Sequence, residues 1–195
     1  SASGKSYKAN KIACKQKLNP IFLIISKKNR IIRLFYKIFF IFNIRISDLA
    51  FLAKLHKIIK FTDLLRWLKS IFSYLYVIGF IRYYKKKNQS IVIDHGLFQC
   101  LYGSFLRSPN SMISDIHVAY LFMEYLNVLL KNSEYKIIEM KYNFKIAKIR
   151  LLKDKNFKTL KFMEKNKKKI IDTYFRISFI LNNYIKVNLI KIISK

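Results

Sequence analysis

The sequence predicts an α/β domain, with a parallel sheet covered by helices on both faces. Three observations point there: short runs rich in β-branched residues, helical stretches alternating with them, and a hydrophobic share of 52% in 195 residues. That length suits one domain, and that apolar share supplies a core and argues against global disorder. Four Gly and two Pro exclude collagen-like and linker-rich architectures. Strands alternating with helices imply a parallel sheet buried on both sides.

The elements follow in chain order. Pro20–Ile25 is a short apolar run with β-branched content and reads as a buried strand. From Lys28 to Lys87 apolar residues recur at helical spacing with few breakers. Ser47-Asp48 and Thr62-Asp63 read as N-caps that divide this stretch into about three helices. Residues 28–87 are therefore expected as a helical insertion between the second and third strands. The insertion closes on Tyr83-Tyr84-Lys85-Lys86-Lys87, cations at the end of a helix where its dipole favours them. Ser90–Gly96 reads as a strand ending on an acid and a glycine, Leu97–Leu106 as a helix, and Ser108–Ser111 as a loop. Ser114–Lys131 is helical, Tyr135–Tyr142 strand-like, and Phe144–Lys153 helical again. Asp154–Lys161 is a polar break, Phe162–Asn182 a helix, and Tyr184–Ile190 alternates like a terminal strand, with a helical continuation as the alternative.

Charge speaks to partners rather than to fold. Lys and Arg number 39 against 10 Asp and Glu, a formal net charge of +29. An acidic partner would explain it: nucleic acid, a phosphorylated metabolite or an anionic membrane. Base composition explains it too, because the 31 Lys and 31 Ile belong to the residue set of A- and T-rich codons. With only 8 Arg, the chain lacks the bidentate contacts on which nucleic-acid readers lean, which speaks against that partner. Cys14 and Cys100 form no CxxC or Cys/His cluster, so neither a disulfide scaffold nor a structural zinc is expected, and each reads as a small buried hydrophobe. Ile31–Ile44 and Ile71–Ile81 are too short to span a membrane. The chain reads as cytoplasmic, with contact at the inner membrane surface as a peripheral option.

One constellation suggests chemistry. Gly4-Lys5-Ser6 matches the end of the phosphate-binding pattern GxxxxGK[ST]. In that pattern glycine lets backbone N–H groups wrap a phosphate, the lysine reaches the β- and γ-phosphates, and the serine hydroxyl ligates Mg²⁺. The first glycine would lie two residues before Ser1, so the chain is expected to start inside the motif and to lack its first strand. Ile91-Val92-Ile93-Asp94 supplies a hydrophobic run ending in an acid, the type that would hold Mg²⁺ or polarise an acceptor beside such a loop. An N-cap aspartate at a strand end is the simpler alternative for Asp94.

These pieces, with Asp94-His95-Gly96-Leu97-Phe98-Gln99, Ile137–Met140 and Phe144–Arg150, resemble P-loop nucleotide kinases of the thymidylate-kinase-like type, and more closely the members found with bacterial surface-polysaccharide genes. The resemblance implies a three-layer P-loop NTPase fold over residues 1–195, ATP with Mg²⁺ as cofactors, and phosphoryl transfer to a small-molecule acceptor. It places Gly4, Lys5 and Ser6 on ATP, Ser6 and Asp94 on the metal, and Asp94 and Arg150 in catalysis. Arg150 would be the first arginine of a lid over 154–168, neutralising charge on the transferring group. His95, Gly96 and Gln99 would line the acceptor site. His95 stands where an arginine is common, and Asp154 where a second lid arginine is expected, which weakens a nucleotide monophosphate acceptor. Two further readings stay open: a catalytically degenerate nucleotide-binding module, and a basic protein docking on anionic membrane or nucleic acid through Lys28–Lys87.

Other candidates read blandly. His56 and His117 sit in helical patterns without metal-spaced partners, and Lys165–Lys169 reads as a solvated helix face. Phe35, Tyr36, Phe39, Phe40 and Phe42, like Trp67, Phe72, Tyr74 and Tyr76, are expected to pack in a core or groove.

Overall fold

A computed structural model describes residues 11–12, 14–15, 29–59, 64–93, 96–108, 115–131, 137–140, 144–153, 155–184 and 189–192. From residue 29 onward they form α1 (Arg30–Ile41), α2 (Ile46–Ile58), α3 (Leu64–Lys86), α4 (Leu97–Arg107) and α5 (Asp115–Leu129). There follow β1 (Ile137–Met140), α6 (Phe144–Lys153), α7 (Phe157–Lys165), α8 (Lys167–Tyr184) and β2 (Leu189–Ile192).

The expectation of an α/β P-loop fold is overturned. The described structure is a helical assembly, and it has no sheet layer for helices to cover. Paired strands are confined to the four-residue pieces β1 and β2, parallel, with Ile137 opposite Leu189. Ile91 makes an isolated bridge, while Val92 and Ile93 are irregular. Ile91 and Ile93 pack instead against an aromatic cluster of α1 and α3. The expected strand Tyr135–Tyr142 does contain β1, and Tyr184–Ile190 overlaps β2 at Leu189–Ile190, while Pro20–Ile25 lies outside the described residues. At Ile91–Ile93 β-branched content alone does not make a paired strand, because strand preference is mostly packing.

Helical spacing explains which residues lie inside. Asp48, Phe51, Leu52 and Leu55 line one side of α2, with Ile59 buried at its C-cap, and Val118, Ala119, Phe122, Tyr125, Leu126 and Leu129 line one side of α5. They meet Tyr74, Val77 and Ile78 of α3, Leu97, Leu101 and Phe105 of α4, and Ile177, Ile180 and Leu181 of α8 in the main core. Phe51 stacks on Tyr125 at 3.8 Å between centroids. Ser70 of α3 and Ser104 of α4 share a buried hydrogen bond of 2.6 Å. A smaller cluster of Ala147, Leu151, Leu160, Met163 and Ile170 joins α6, α7 and α8.

Helix α3 has a second working face. Phe80 and Tyr84 turn away from the main core and receive Phe40 of α1, whose ring lies 4.9 Å from that of Phe80. Contact is close because residue 79 is glycine: a Cβ there would stand 2.0 Å from the Phe40 carbonyl oxygen. Local signals set the ends. Asn29 caps α1, its Oδ1 accepting from the Ile32 N–H at 2.9 Å, and Asn156 caps α7 in the same way at 3.2 Å. The chain leaves α3 and α6 through Asn88 and Lys155, each with φ of 50°. The polar break expected over Asp154–Lys161 is thus short, and α7 begins inside it at Phe157.

Candidate functional site

Most residues expected at a nucleotide site, Gly4, Lys5, Ser6, Asp94 and His95, lie outside the described residues, as does the side chain of Arg150. Arg150 itself falls in α6. Gly96 and Gln99 are described and adjacent: Gly96 is the N-cap of α4, and the Gln99 N–H donates to its carbonyl at 2.9 Å. Gly96 has φ −80° and ψ −173°, an extended conformation that any residue adopts, and a Cβ there meets no protein atom of the described residues within 4 Å. Segment 154–168, expected as a lid, is largely α7. Among the described residues no group of three His, Cys, Asp or Glu could hold a metal ion. His56 lies on an exposed face of α2 with its ring 5.3 Å from that of Trp67, and Cys14 is exposed rather than buried.

The most concentrated polar centre is structural. Asp48 is fully buried near the start of α2. Its Oδ1 accepts from Arg82 Nη2 at 2.5 Å and from the Tyr125 hydroxyl at 2.8 Å. Its Oδ2 accepts from Arg82 Nε at 2.6 Å and from the Arg45 N–H at 2.8 Å, the latter bond capping the helix from its third residue. Burial pushes the carboxyl upward, and the bonds from Arg82, Arg45 and Tyr125 outweigh that push, leaving it below its ordinary value. Tyr125 is held far above its ordinary value by burial and by Asp48. Nearby, the Lys85 ammonium donates to the carbonyls of Leu129 and Lys131 at 2.9 and 2.5 Å. Burial, then the Arg82 and Arg45 charges, hold it below its usual value. With four donors already on one carboxylate, this centre ties α2, α3 and α5 together and leaves Asp48 no oxygen lone pair aimed at a ligand.

The surface carries the stronger functional signal. On α1, Phe40 is 1% exposed, while Ile31 and Phe35 are 67% and 68% exposed, and Phe42, the C-cap, is 83% exposed. Ile31, Phe35, Ile38 and Phe42 recur at i, i+4, i+7 and i+11, which is one line along a helix. Leu34 and Phe39 flank it, and Ile46 and Leu49 at the start of α2 extend the exposed apolar surface. Helix α1 therefore holds the bundle by one side and presents a second apolar side to the medium. Sequence reasoning assigned all these aromatics to packing; the signal it passed over is that Phe40 falls off the line that joins 31, 35, 38 and 42. Lys37 of the same helix is exposed, with its Nζ 5.8 Å from the Tyr76 ring.

Helix α3 is long and apolar enough to cross a membrane, by length and composition alone, which the shorter apolar runs of the sequence did not suggest. Its middle is committed elsewhere, with Tyr74, Val77, Ile78 and Phe80 buried among other helices and Arg82 paired to Asp48. Its first turns are different: Leu64, Leu65 and Phe72 are exposed.

No family model, curated protein or solved structure matches the chain, and with a helical fold the likeness to P-loop nucleotide kinases is withdrawn.

Proposed function

We propose that the protein docks peripherally on an anionic membrane surface, with α1 lying in the boundary between headgroups and acyl chains. The observation that carries this reading is the exposed row Ile31, Phe35, Ile38 and Phe42 on a helix anchored by its opposite side to the bundle, in a chain of net charge +29. A helix with one apolar side in a strongly basic chain partitions to that boundary, apolar side down. Three cations, Arg30, Arg33 and Lys37, occur within α1. Each basic residue near an anionic leaflet contributes about 1 kcal/mol, and each large apolar side chain moved fully out of water about 1.5–3 kcal/mol. A handful of each is enough for reversible attachment. Nucleic acid would answer the charge but leave the apolar row in water.

Flotation with vesicles tests the reading. The intact chain is expected on phosphatidylcholine vesicles that contain phosphatidylglycerol and to be largely absent from pure phosphatidylcholine. Phe35→Ser combined with Phe42→Ser removes half of the row without touching the Phe40 anchor, and is expected to abolish flotation. Equal flotation of that variant, with its bundle intact by circular dichroism, would overturn the proposal.

A further inference from the structure

We infer that the groove between α1 and α3 seats the headgroup of one lipid of the docked leaflet, and that it favours a phosphomonoester over a phosphodiester. The inference rests on the docking reading and adds a specificity to it. The groove is a shallow, solvent-open depression of about 330 Å³ lined by Lys37, Leu65, Leu68, Lys69, Phe72 and Ser73. It begins on the helix that carries the apolar row, since Lys37 belongs to α1. Its apolar wall is open to the medium, with Leu65 and Phe72 exposed.

Two cations and no carboxylate line this space. Neither Lys37 nor Lys69 is in an ion pair among the described residues. The Ser73 hydroxyl already donates to the Lys69 carbonyl at 2.7 Å, so toward the groove it offers an acceptor only. Holding an anion is left to the two ammonium groups. Two cations match the charge of a phosphomonoester, about −1.5 to −2 at neutral pH, better than the single charge of a diester. The apolar wall suits the glycerol backbone and the first methylenes of the acyl chains, which lie directly beneath such a headgroup. The groove and the row would then meet the same leaflet, one reading its headgroups and the other its interior.

The experiment compares vesicles carrying phosphatidic acid with vesicles carrying phosphatidylglycerol, adjusted to equal surface potential. The expected result is roughly fivefold tighter binding to phosphatidic acid, the ratio that one extra charge met by one lysine supplies. Lys37→Ala with Lys69→Ala is expected to remove the difference, while Lys86→Ala with Lys87→Ala, which deletes the same charge outside the groove, retains it. Equal binding of the intact protein to both vesicles overturns the inference and leaves the docking reading standing. A preference that survives the groove substitutions overturns it as well. Failure to bind either vesicle overturns the docking reading, and the inference with it.

Discussion

The carbonyl oxygen of Phe40 occupies the place where any residue other than glycine at position 79 would carry its Cβ, at 2.0 Å. Two helices that approach this closely are held by the ring cluster on either side of the contact. Gly79→Ala gains about 1 kcal/mol of helix propensity but forces the backbones apart, which costs about 1–3 kcal/mol and more for a rigid neighbour. The net expectation is destabilisation, seen as a lower urea midpoint. An unchanged or raised midpoint would show that α1 does not rest on α3.

Asp48→Ala leaves the Arg82 guanidinium buried without its counter-charge and is expected to cost about 3–5 kcal/mol, measured by urea unfolding. The pH dependence has a definite sign. Asp48 has a folded value below its ordinary 3.8, so its contribution is complete above the unfolded value and is lost as the pH falls through the folded one. Stability of the intact protein should therefore fall more steeply below about pH 4 than that of Asp48→Asn, which has no carboxyl there to protonate. Parallel curves for the two proteins would contradict the assignment.

Ser70 and Ser104 are not equivalent partners. Ser104 Oγ also donates to the Cys100 carbonyl at 3.0 Å, whereas among the described residues Ser70 Oγ meets only Ser104. Ser104→Ala strands a buried hydroxyl and should cost about 1–3 kcal/mol, with Ser70→Ala costing less. The double variant is expected to be no worse than Ser104→Ala alone, a non-additivity that thermal unfolding of the three proteins reads directly.

Docking makes its own demand on α1. Loss of the Asn29 cap should cost about 1 kcal/mol of helix stability, and Asn29→Ala is expected to weaken vesicle attachment without changing the main core. Attachment of the intact protein should also fall as salt rises, because the Debye length shrinks from about 10 Å at 0.1 M to about 3 Å at 1 M. Salt-independent flotation would leave the cations without a role.

What the sequence made legible was local. The apolar spacing between Lys28 and Lys87 announced helices, and α1, α2 and α3 lie there. Ser47-Asp48 announced a helix start, and α2 does start there, but with Asp48 as its third residue and Arg45 as the cap. That one-turn offset hid the site's chemistry: an exposed N-cap acid has little consequence, whereas the same side chain one turn inside faces Arg82 and Tyr125 across the core. Partners 34 and 77 residues away leave no trace in local spacing. Tyr135–Tyr142 holds β1 as expected, whereas Ile91–Ile93, with similar β-branched content, packs on the rings of α1 and α3 and forms no paired strand among the described residues. The apolar row on α1 was legible as periodicity, yet only packing could tell which of two apolar sides would be covered.

Those separations also fix an order of assembly. Asp48 cannot complete its set of donors until α5 has been made and has closed back on α2, since Tyr125 lies 77 residues further along the chain. A nascent chain ending after α3 would hold Asp48 and Arg82 together beside an open flank where Phe51 and Tyr125 later stack. Amide protection in α2 is therefore expected to depend on the fifth helix and to fall if that helix departs.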